Sequence, residues 1–518
     1  FTTKNDDATV CRFCTNHCRR TFIDSTTPDG STSRYIAGFS CENGTVEAKA
    51  DLQTIAVHRK HLRAQFPNLV DYEGQLAFRS VQRAPDLPAA GSPQQDVRVT
   101  VSLLGQVKRS PITRGFERSG EAAASRRAAL RIGIPRVLNQ FSTGPLWRGY
   151  FETLGIRPDN IVFSSHTTEE MWLEGGKYGS VDPCHPAKVA QAHIHELIHH
   201  IHRKNKLDYI FCPGMTHLPS FLKGTKDSAG CPIVAGTPTV LKVAFTKDVD
   251  FFARAGVDYV APVVTLIERN YFKLRMYETW GERLAITRDE SDFAVDAGFA
   301  ALQKFDADLQ RHGREVLEGL ERDSRMGLLL LGRPYHADPG LNHEVLEEFQ
   351  ALGYPILSIR SIPKNEDWLS RWFRDDLASG RIASPLEIGD VWPEGYSTNS
   401  AEKVWAAKFA ARHGHLAVLD LSSFKCGMDA PTYGLIDKIV TAAGMPYMAL
   451  HDIDANKPAG SFGIRVRTYA YTLKRREEQM AARRGLGLNP ANTPALDTTD
   501  DLAGAYADYI ENDKAAFT

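Results

Sequence analysis

Four cysteines near the N-terminus, Cys11, Cys14, Cys18 and Cys41, follow a C-x-x-C-x-x-x-C pattern, with the fourth returning after a loop in "AGFSCENG". Thiolates are soft ligands, and four of them so spaced suit tetrahedral zinc or an iron–sulfur cluster. Spacing does not separate the two centres. Arg12, Arg19 and Arg20 lie close enough in sequence to offset the negative charge of either. Four unrelated free thiols is the weaker reading, because this pattern seldom arises without a metal in a reducing compartment.

Cys184, Cys212, Cys231 and Cys426 are scattered, so their placement carries more than their spacing. Cys212 ends the predicted strand "LDYIFC", and Cys426 follows the predicted strand "HLAVLDL" by a short loop. In doubly wound sheets, ligands gather beyond the carboxyl ends of strands. Cys184 precedes Pro186, a natural first-turn residue, which puts its sulfur at a helix N-terminus. There the helix dipole favours a thiolate and an anionic cluster. Cys231 sits in "DSAGCPIVAGTP", where glycines allow close backbone approach. Proline follows directly at 212–213 and 231–232, stiffening each loop and removing a competing donor. Read from these residues alone, the four are cluster ligands or buried inert thiols with equal justice.

A third pattern, His195-Glu196-Leu197-Ile198-His199, matches the H-E-x-x-H of zinc peptidases. Such an enzyme needs a third protein ligand. The residues after His199, "HIHRKN", lack the glycine and histidine of the extended motif, and the next glutamate is Glu268. The helix also has its own packing stripe at Ala190, Ile194, Leu197, Ile198 and Ile201, which His195, His199 and His202 flank. Five histidines crowd 193–202, so a chance match is unsurprising, and the pattern by itself does not make a zinc peptidase.

The elements that must position these residues follow an alternating pattern. Strands are predicted at 130–136, 160–164, 207–212 and 257–264, with helices over 144–156, within 167–175, after Cys184 and over 237–245. The pattern restarts at "MGLLLLGRPYH" (326–336), an apolar run expected of a central parallel strand. A helix around 342–352, strands at 354–359, 415–421 and 446–452, and a helix at 433–444 complete it. Strands alternating with helices imply parallel β-α-β units. The expected fold is therefore α/β, with two Rossmann-like doubly wound parallel-sheet domains (129–325 and 326–474) preceded by a small cysteine-rich metal-binding segment (1–45). Residues 46–128 read as a connecting region, with Pro, Gly, Ser and Gln from Val81 to Ala128 giving it the look of a linker. Residues 475–518 read as a charged and then polar tail. Two loops, "GRPYHADPGLNHE" (332–344) and "DIDANKPAGSFGIRV" (452–466), follow strands and occupy ligand-facing positions.

Bulk properties exclude several classes. Lys and Arg number 62 against 63 Asp and Glu in 518 residues, so no basic excess argues for nucleic acid or an anionic membrane surface. No apolar run approaches the length needed to span a bilayer, and no apolar signal core follows the N-terminus. Neither a P-loop nor a G-x-G-x-x-G after a strand is present, so neither standard nucleotide site is expected. The chain reads as soluble, cytoplasmic and multidomain; starting at Phe1 and not Met, it reads as a piece of something longer.

"CRFCTNHCRRTFID", "RYIAGFSCENG", "RIGIPRVLN", "GSVDPCHPAKVAQAH", "GRPYHADPGLNHE", "DAPTYG" and "DIDANKPAGSFGIRVRT" together resemble the C-terminal part of the large CoA-substrate-specific enzyme activases. These are relatives of the 2-hydroxyacyl-CoA dehydratases and of double-cubane cluster proteins, and the resemblance runs from Cys11 to about Leu473. It implies an iron–sulfur protein of ATP-driven low-potential electron transfer in anaerobic metabolism. An ATPase activase domain, fused upstream or separate, would supply the electron, and an acyl-CoA dehydratase, a reductase or a small substrate would receive it. The resemblance makes Cys184 and Cys231 the leading cluster ligands, with Cys212 and Cys426 next, and Lys188 and His185 placed to tune the potential. Double-cubane proteins use more core cysteines than these four, so the count allows a single 4Fe–4S cluster. Zinc or a second iron–sulfur cluster would occupy Cys11, Cys14, Cys18 and Cys41. A homodimer is compatible with this family. The rival expectation is a non-catalytic zinc-stapled scaffold with inert core cysteines.

Overall fold

The computed structural model describes residues 2–13, 19–26, 32–38, 44, 46–48, 50–81, 84–102, 106–179, 184–423, 425–454 and 459–485. Short apolar runs bounded by turn residues become two four-stranded sheets, each parallel throughout, and the fold is α/β. The first sheet holds Ile132–Ile134, Ile161–Phe163, Tyr209–Phe211 and Asp258–Val260. The second holds Gly327–Leu331, Ile356–Ser358, Leu416–Ser423 and Tyr447–Ile453. All five residues of Gly327–Leu331 are buried, as a strand covered on both faces requires.

Both sheets have one strand order. The first strand in sequence lies between the second and third, and the fourth lies outside the third. Chain direction across each sheet therefore reverses between its first and third strands, and a crevice opens beyond their carboxyl ends. Cys212 stands at that position in the first sheet, and Arg333 and Cys426 in the second.

A 36-residue helix, Arg288–Asp323, runs between the two sheets' territories. Its start is held by a capping box, with Thr287 Oγ1 accepting from the Glu290 N–H and the Glu290 carboxylate accepting from the Thr287 N–H. It packs along Gln140–Thr153 of the first half and touches the turn after Ile356–Ser358 in the second. At Gly313 a Cβ would stand 1.8 Å from the Ser361 carbonyl oxygen, so only glycine permits that approach.

The halves are also joined through the loop after Gly327–Leu331. Asp338 caps the short helix Pro339–Asn342, and its carboxylate accepts from the Thr167 N–H at 3.1 Å and the Thr167 hydroxyl at 2.8 Å. His193 bridges Ser164 and Thr167 on the other side, at 2.8 and 3.0 Å. Part of "GRPYHADPGLNHE" thus ties the segment after the first strand of the second sheet to the loop after Ile161–Phe163.

The stretch expected to be linker contains regular structure. Pro93–Val101 pairs antiparallel with Val107–Gly115, and Glu121–Ala129 is helical. The hairpin strands are largely exposed: Val97, Val99 and Val101 alternate with polar residues, yet each is more than half exposed, so this alternation marks no buried face. Arg114 anchors them by a two-pronged bond to Asp289, at 2.5 and 2.6 Å, on the long helix. Two further helices, Asp51–Gln65 and Leu69–Ala77, precede the hairpin.

Near the N-terminus Thr21–Thr26 pairs with Thr32–Ala37, and Thr2–Lys4 adds at the edge. The Thr21↔Ala37 register brings the segments that flank Cys18 and Cys41 together. The tail starts as a helix, Ala459–Gly485; residues 486–518 lie outside the described residues. Among the described residues no helix is long and apolar enough to cross a membrane.

Candidate functional site

Three of the four core cysteines come together, each delivered by a different element. Cys184 is the N-cap of His185–Glu196 and Cys231 the N-cap of Pro232–Ala244. Both helices open on proline in the first turn, where its missing N–H costs nothing. Cys426 sits in the loop after Leu416–Ser423, next to Lys425, which adopts a left-handed backbone (φ 67°). Burial pushes the Cys184 thiol up to about 11; the Ala187 N–H and Arg333 pull the other way, while Cys426 and Cys231 add to the rise.

Cys212 faces Tyr259. It is fully buried beside the Tyr259 hydroxyl, and burial pushes its thiol up to about 12. Its neighbour Tyr259 stacks on Phe252 and donates to the Pro238 carbonyl.

A buried charge network holds the Cys426 loop. Arg333 donates to Asp429 from Nε at 3.1 Å and from Nη2 at 2.8 Å, and to Ser400 at 2.9 Å. Lys403 reaches Asp429 at 3.2 Å and Asp420 at 2.7 Å, and Ser422 donates to Asp429 at 2.9 Å. Tyr447 and His451 bond the other Asp420 oxygen, and His451 stacks on Tyr433 at 3.6 Å. Arg333, Lys403, Asp420 and Asp429 are each at most 3% exposed, two charges of each sign. Burial alone would raise the Asp429 carboxyl, but Arg333 and Lys403 beside it hold it well below the usual carboxylate range.

A cavity of about 290 Å³ opens between the halves. Arg333 borders both it and the sulfurs. Five more charged side chains line it: Glu73, Asp306, Arg360, Lys364 and Glu402. Arg360 is paired with Asp306 and donates to the Ser142 carbonyl at 2.8 Å. Burial drags the Lys364 ammonium down to about 7 and pushes the Glu402 carboxyl up to about 7. Lys364 lies over the Phe221 and Trp405 rings, and Ser220 donates to Glu402 at 3.1 Å. Two groups poised near neutrality can take or give a proton to a small polar molecule held there.

These residues fit a metal–sulfur centre. Three soft thiol donors on separate elements would leave a fourth coordination position unfilled by protein. Two helix N-termini and Arg333 supply positive potential, and buried sulfurs ionise readily only against a cationic centre.

Elsewhere, Cys11 is buried, while Cys14, Cys18 and Cys41 lie outside the described residues. Arg20 is turned inward and donates to the carbonyls of Thr9, Gly44 and Val46, stapling the returning chain. His185 packs edge-on against Trp172 at 5.4 Å, with the Lys188 ammonium 5.8 Å from the same ring. The peptidase-like motif is not arranged for hydrolysis. Glu196, which would be its base, accepts from the Ser165 N–H and hydroxyl at 2.8 and 2.5 Å.

Sequence reasoning reached the three cysteines and the Arg333 loop, and missed the charge network and the cavity's titratable groups. One signal was available. Lys403 and Lys408 interrupt an apolar helix, "SAEKVWAAKFAARH", on positions that prove fully buried.

Residues 131–362 match a family model described as CoA enzyme activase uncharacterised domain (DUF2229). The match spans the whole first sheet, the long helix and the first two strands of the second. This region is thus similar to a domain of CoA enzyme activases, with no subtype specified. No curated protein matches the chain.

Proposed function

We propose that this chain is an iron–sulfur protein of ATP-driven low-potential electron transfer, built on two Rossmann-like domains and related to 2-hydroxyacyl-CoA dehydratases and their activases. The observation that carries this reading is the convergence of Cys184, Cys231 and Cys426 beside Arg333 at the strand-order reversal of the second sheet. The activase-type match over 131–362, which includes Cys184 and Cys231, supports it.

Cys184, Cys231 and Cys426 would hold a 4Fe–4S cluster, with Cys212 kept as a buried thiol beside Tyr259. The N-terminal cysteines would hold zinc or a second cluster. Such a centre, when bound, supplies one-electron chemistry at low potential. The chain's own residues do the rest. Arg333 and the two helix N-termini set the electrostatics, and the Arg333–Asp429–Lys403 network fixes the Cys426 loop. Lys364 and Glu402 hold a proton at the adjoining cavity. An ATPase activase, fused or separate, would be the electron donor, and an acyl-CoA dehydratase, a reductase or a small molecule in the cavity the acceptor.

The test is iron, zinc and acid-labile sulfide per chain after anaerobic purification, for the wild type and single Cys→Ala variants. About four irons lost on Cys184→Ala, Cys231→Ala or Cys426→Ala, but retained on Cys212→Ala, is expected. Zinc with no iron or sulfide in the wild type would sink the redox reading and leave a zinc-stapled scaffold.

A further inference from the structure

The histidine-rich helix carries a feature that the cysteine chemistry does not use. After Glu196 the backbone widens into a π-turn, Leu197–Ile201, before resuming as His202–Lys204. In a regular α-helix, residues five apart point about 140° away from one another, since each step turns about 100°. A π-turn adds a residue to the coil and brings i and i+5 towards one face. His195 and His200 are such a pair, and their ring centroids lie 5.7 Å apart.

Glu174 completes a group with them from the neighbouring helix, Glu169–Gly175. One ligand atom from each of Glu174, His195 and His200 lies within 4.8 Å of the others, and His200 Nε2 is 2.9 Å from the Glu174 carboxylate. Gly175 permits this meeting. A Cβ there would lie 2.5 Å from the Ala192 Cα and 2.9 Å from the His195 Cβ, so a larger residue would force the helices apart. His199 adds a third imidazole beside the group, with its ring 4.5 Å from His195 and its Nε2 buried without a hydrogen-bond partner among the described residues.

We propose that Glu174, His195 and His200 form a binding site for a divalent transition metal of the zinc type, assembled by the π-turn and distinct from both cysteine groups. Two imidazoles and one carboxylate match the ligand preference of zinc and its borderline neighbours, whereas calcium and magnesium would need more oxygens. Glu174 and His200 are half-exposed, at 55% and 49%, which gives the ion a path in and leaves a position for water. The pair His195 and His199 of the H-E-x-x-H pattern is therefore not the ligand pair; the π-turn substitutes His200. A bound ion would clamp the Glu169–Gly175 helix to the helix that presents Cys184 at its other end.

The test uses the full chain. Wild type and the Glu174→Gln/His200→Gln double variant are dialysed against excess Zn²⁺, freed of loose metal, and assayed for zinc per chain. The expected result is about one zinc fewer in the variant. X-ray absorption should assign the missing ion to nitrogen and oxygen at about 2.0–2.1 Å and not to sulfur at about 2.3 Å. His195→Gln should lose the same single ion. Equal zinc content in all three proteins, or a lost ion with a sulfur shell, would overturn the proposal. Both residues of the double variant are exposed enough to be changed without loss of the core, and unchanged iron content would report that the cysteine site is intact.

Discussion

Arg333 and Asp429 show how one buried residue pair can govern a site several residues away. Neither is exposed, and the carboxylate is shared by an arginine, a lysine and a serine. Removing one partner of a buried pair leaves an uncompensated charge and costs about 3–5 kcal/mol. Arg333→Met is therefore expected to lower stability by that order and to release the Cys426 loop. Arg333→Met/Asp429→Leu should recover part of the loss. Thermal unfolding of the two variants checks this, and a double variant no more stable than the single one would speak against a shared network. Arg333 was within reach of the sequence, in a loop after an apolar strand. Asp429 was not, because nothing local says which carboxylate will face a guanidinium 96 residues earlier.

At the scale of elements, the long helix Arg288–Asp323 does the joining. It meets Gln140–Thr153 in the first half and, through Gly313, the Ser358–Ser361 turn in the second. Gly313→Ala would place a methyl against the Ser361 carbonyl, and overpacking of this kind costs about 1–3 kcal/mol. We expect a lower urea midpoint for Gly313→Ala. At Gly319 on the same helix, where the nearest atom to a Cβ is the tip of Arg322 at 3.6 Å, Gly→Ala should be neutral or stabilising. Equal effects at both positions would mean that helix propensity, not the close approach of Gly313 to Ser361, dominates. The strands and most crossover helices were legible from apolar runs and their period. The exposed hairpin at 93–115 was not, because its short alternation at Val97, Val99 and Val101 is set among the Pro, Gly, Ser and Gln residues of a linker-like stretch and leads to no buried face.

At the scale of the whole molecule, buried histidines set the response to acid. Burial holds His193 and His336 down at about 3, against an ordinary 6.5. The folded protein therefore keeps them neutral while the unfolded chain takes up protons below pH 6.5. Stability is full above that value and falls as pH drops from 6.5 towards 3, by up to about 1.4 kcal/mol per pH unit for each histidine. Urea titrations should show a steady midpoint from pH 8 to 7 and a decline from pH 6.5 downward. His193→Gln, whose amide can still bond Ser164 and Thr167, should decline less steeply over that window. Below about pH 4 the depressed carboxyls of Asp420 and Asp429 add a second loss as they are forced to protonate.

What the sequence determined by itself was local. Period and apolarity marked the strands, Pro186 after Cys184 marked one helix start, and thiol spacing marked the N-terminal metal group as an expectation, whereas the helix start at Pro232 was read as loop. Cys184 and Cys231 led the ligand candidates, with Cys212 and Cys426 next. Which of them lie near one another depends on the tertiary structure, because two are helix N-caps and one sits in a loop of the second sheet, far apart in sequence. The same holds for the cavity and for Glu174, His195 and His200. A glutamate on one helix, two histidines five apart and a glycine that lets the helices touch form no recognisable pattern until a single π-turn rotates them onto one face.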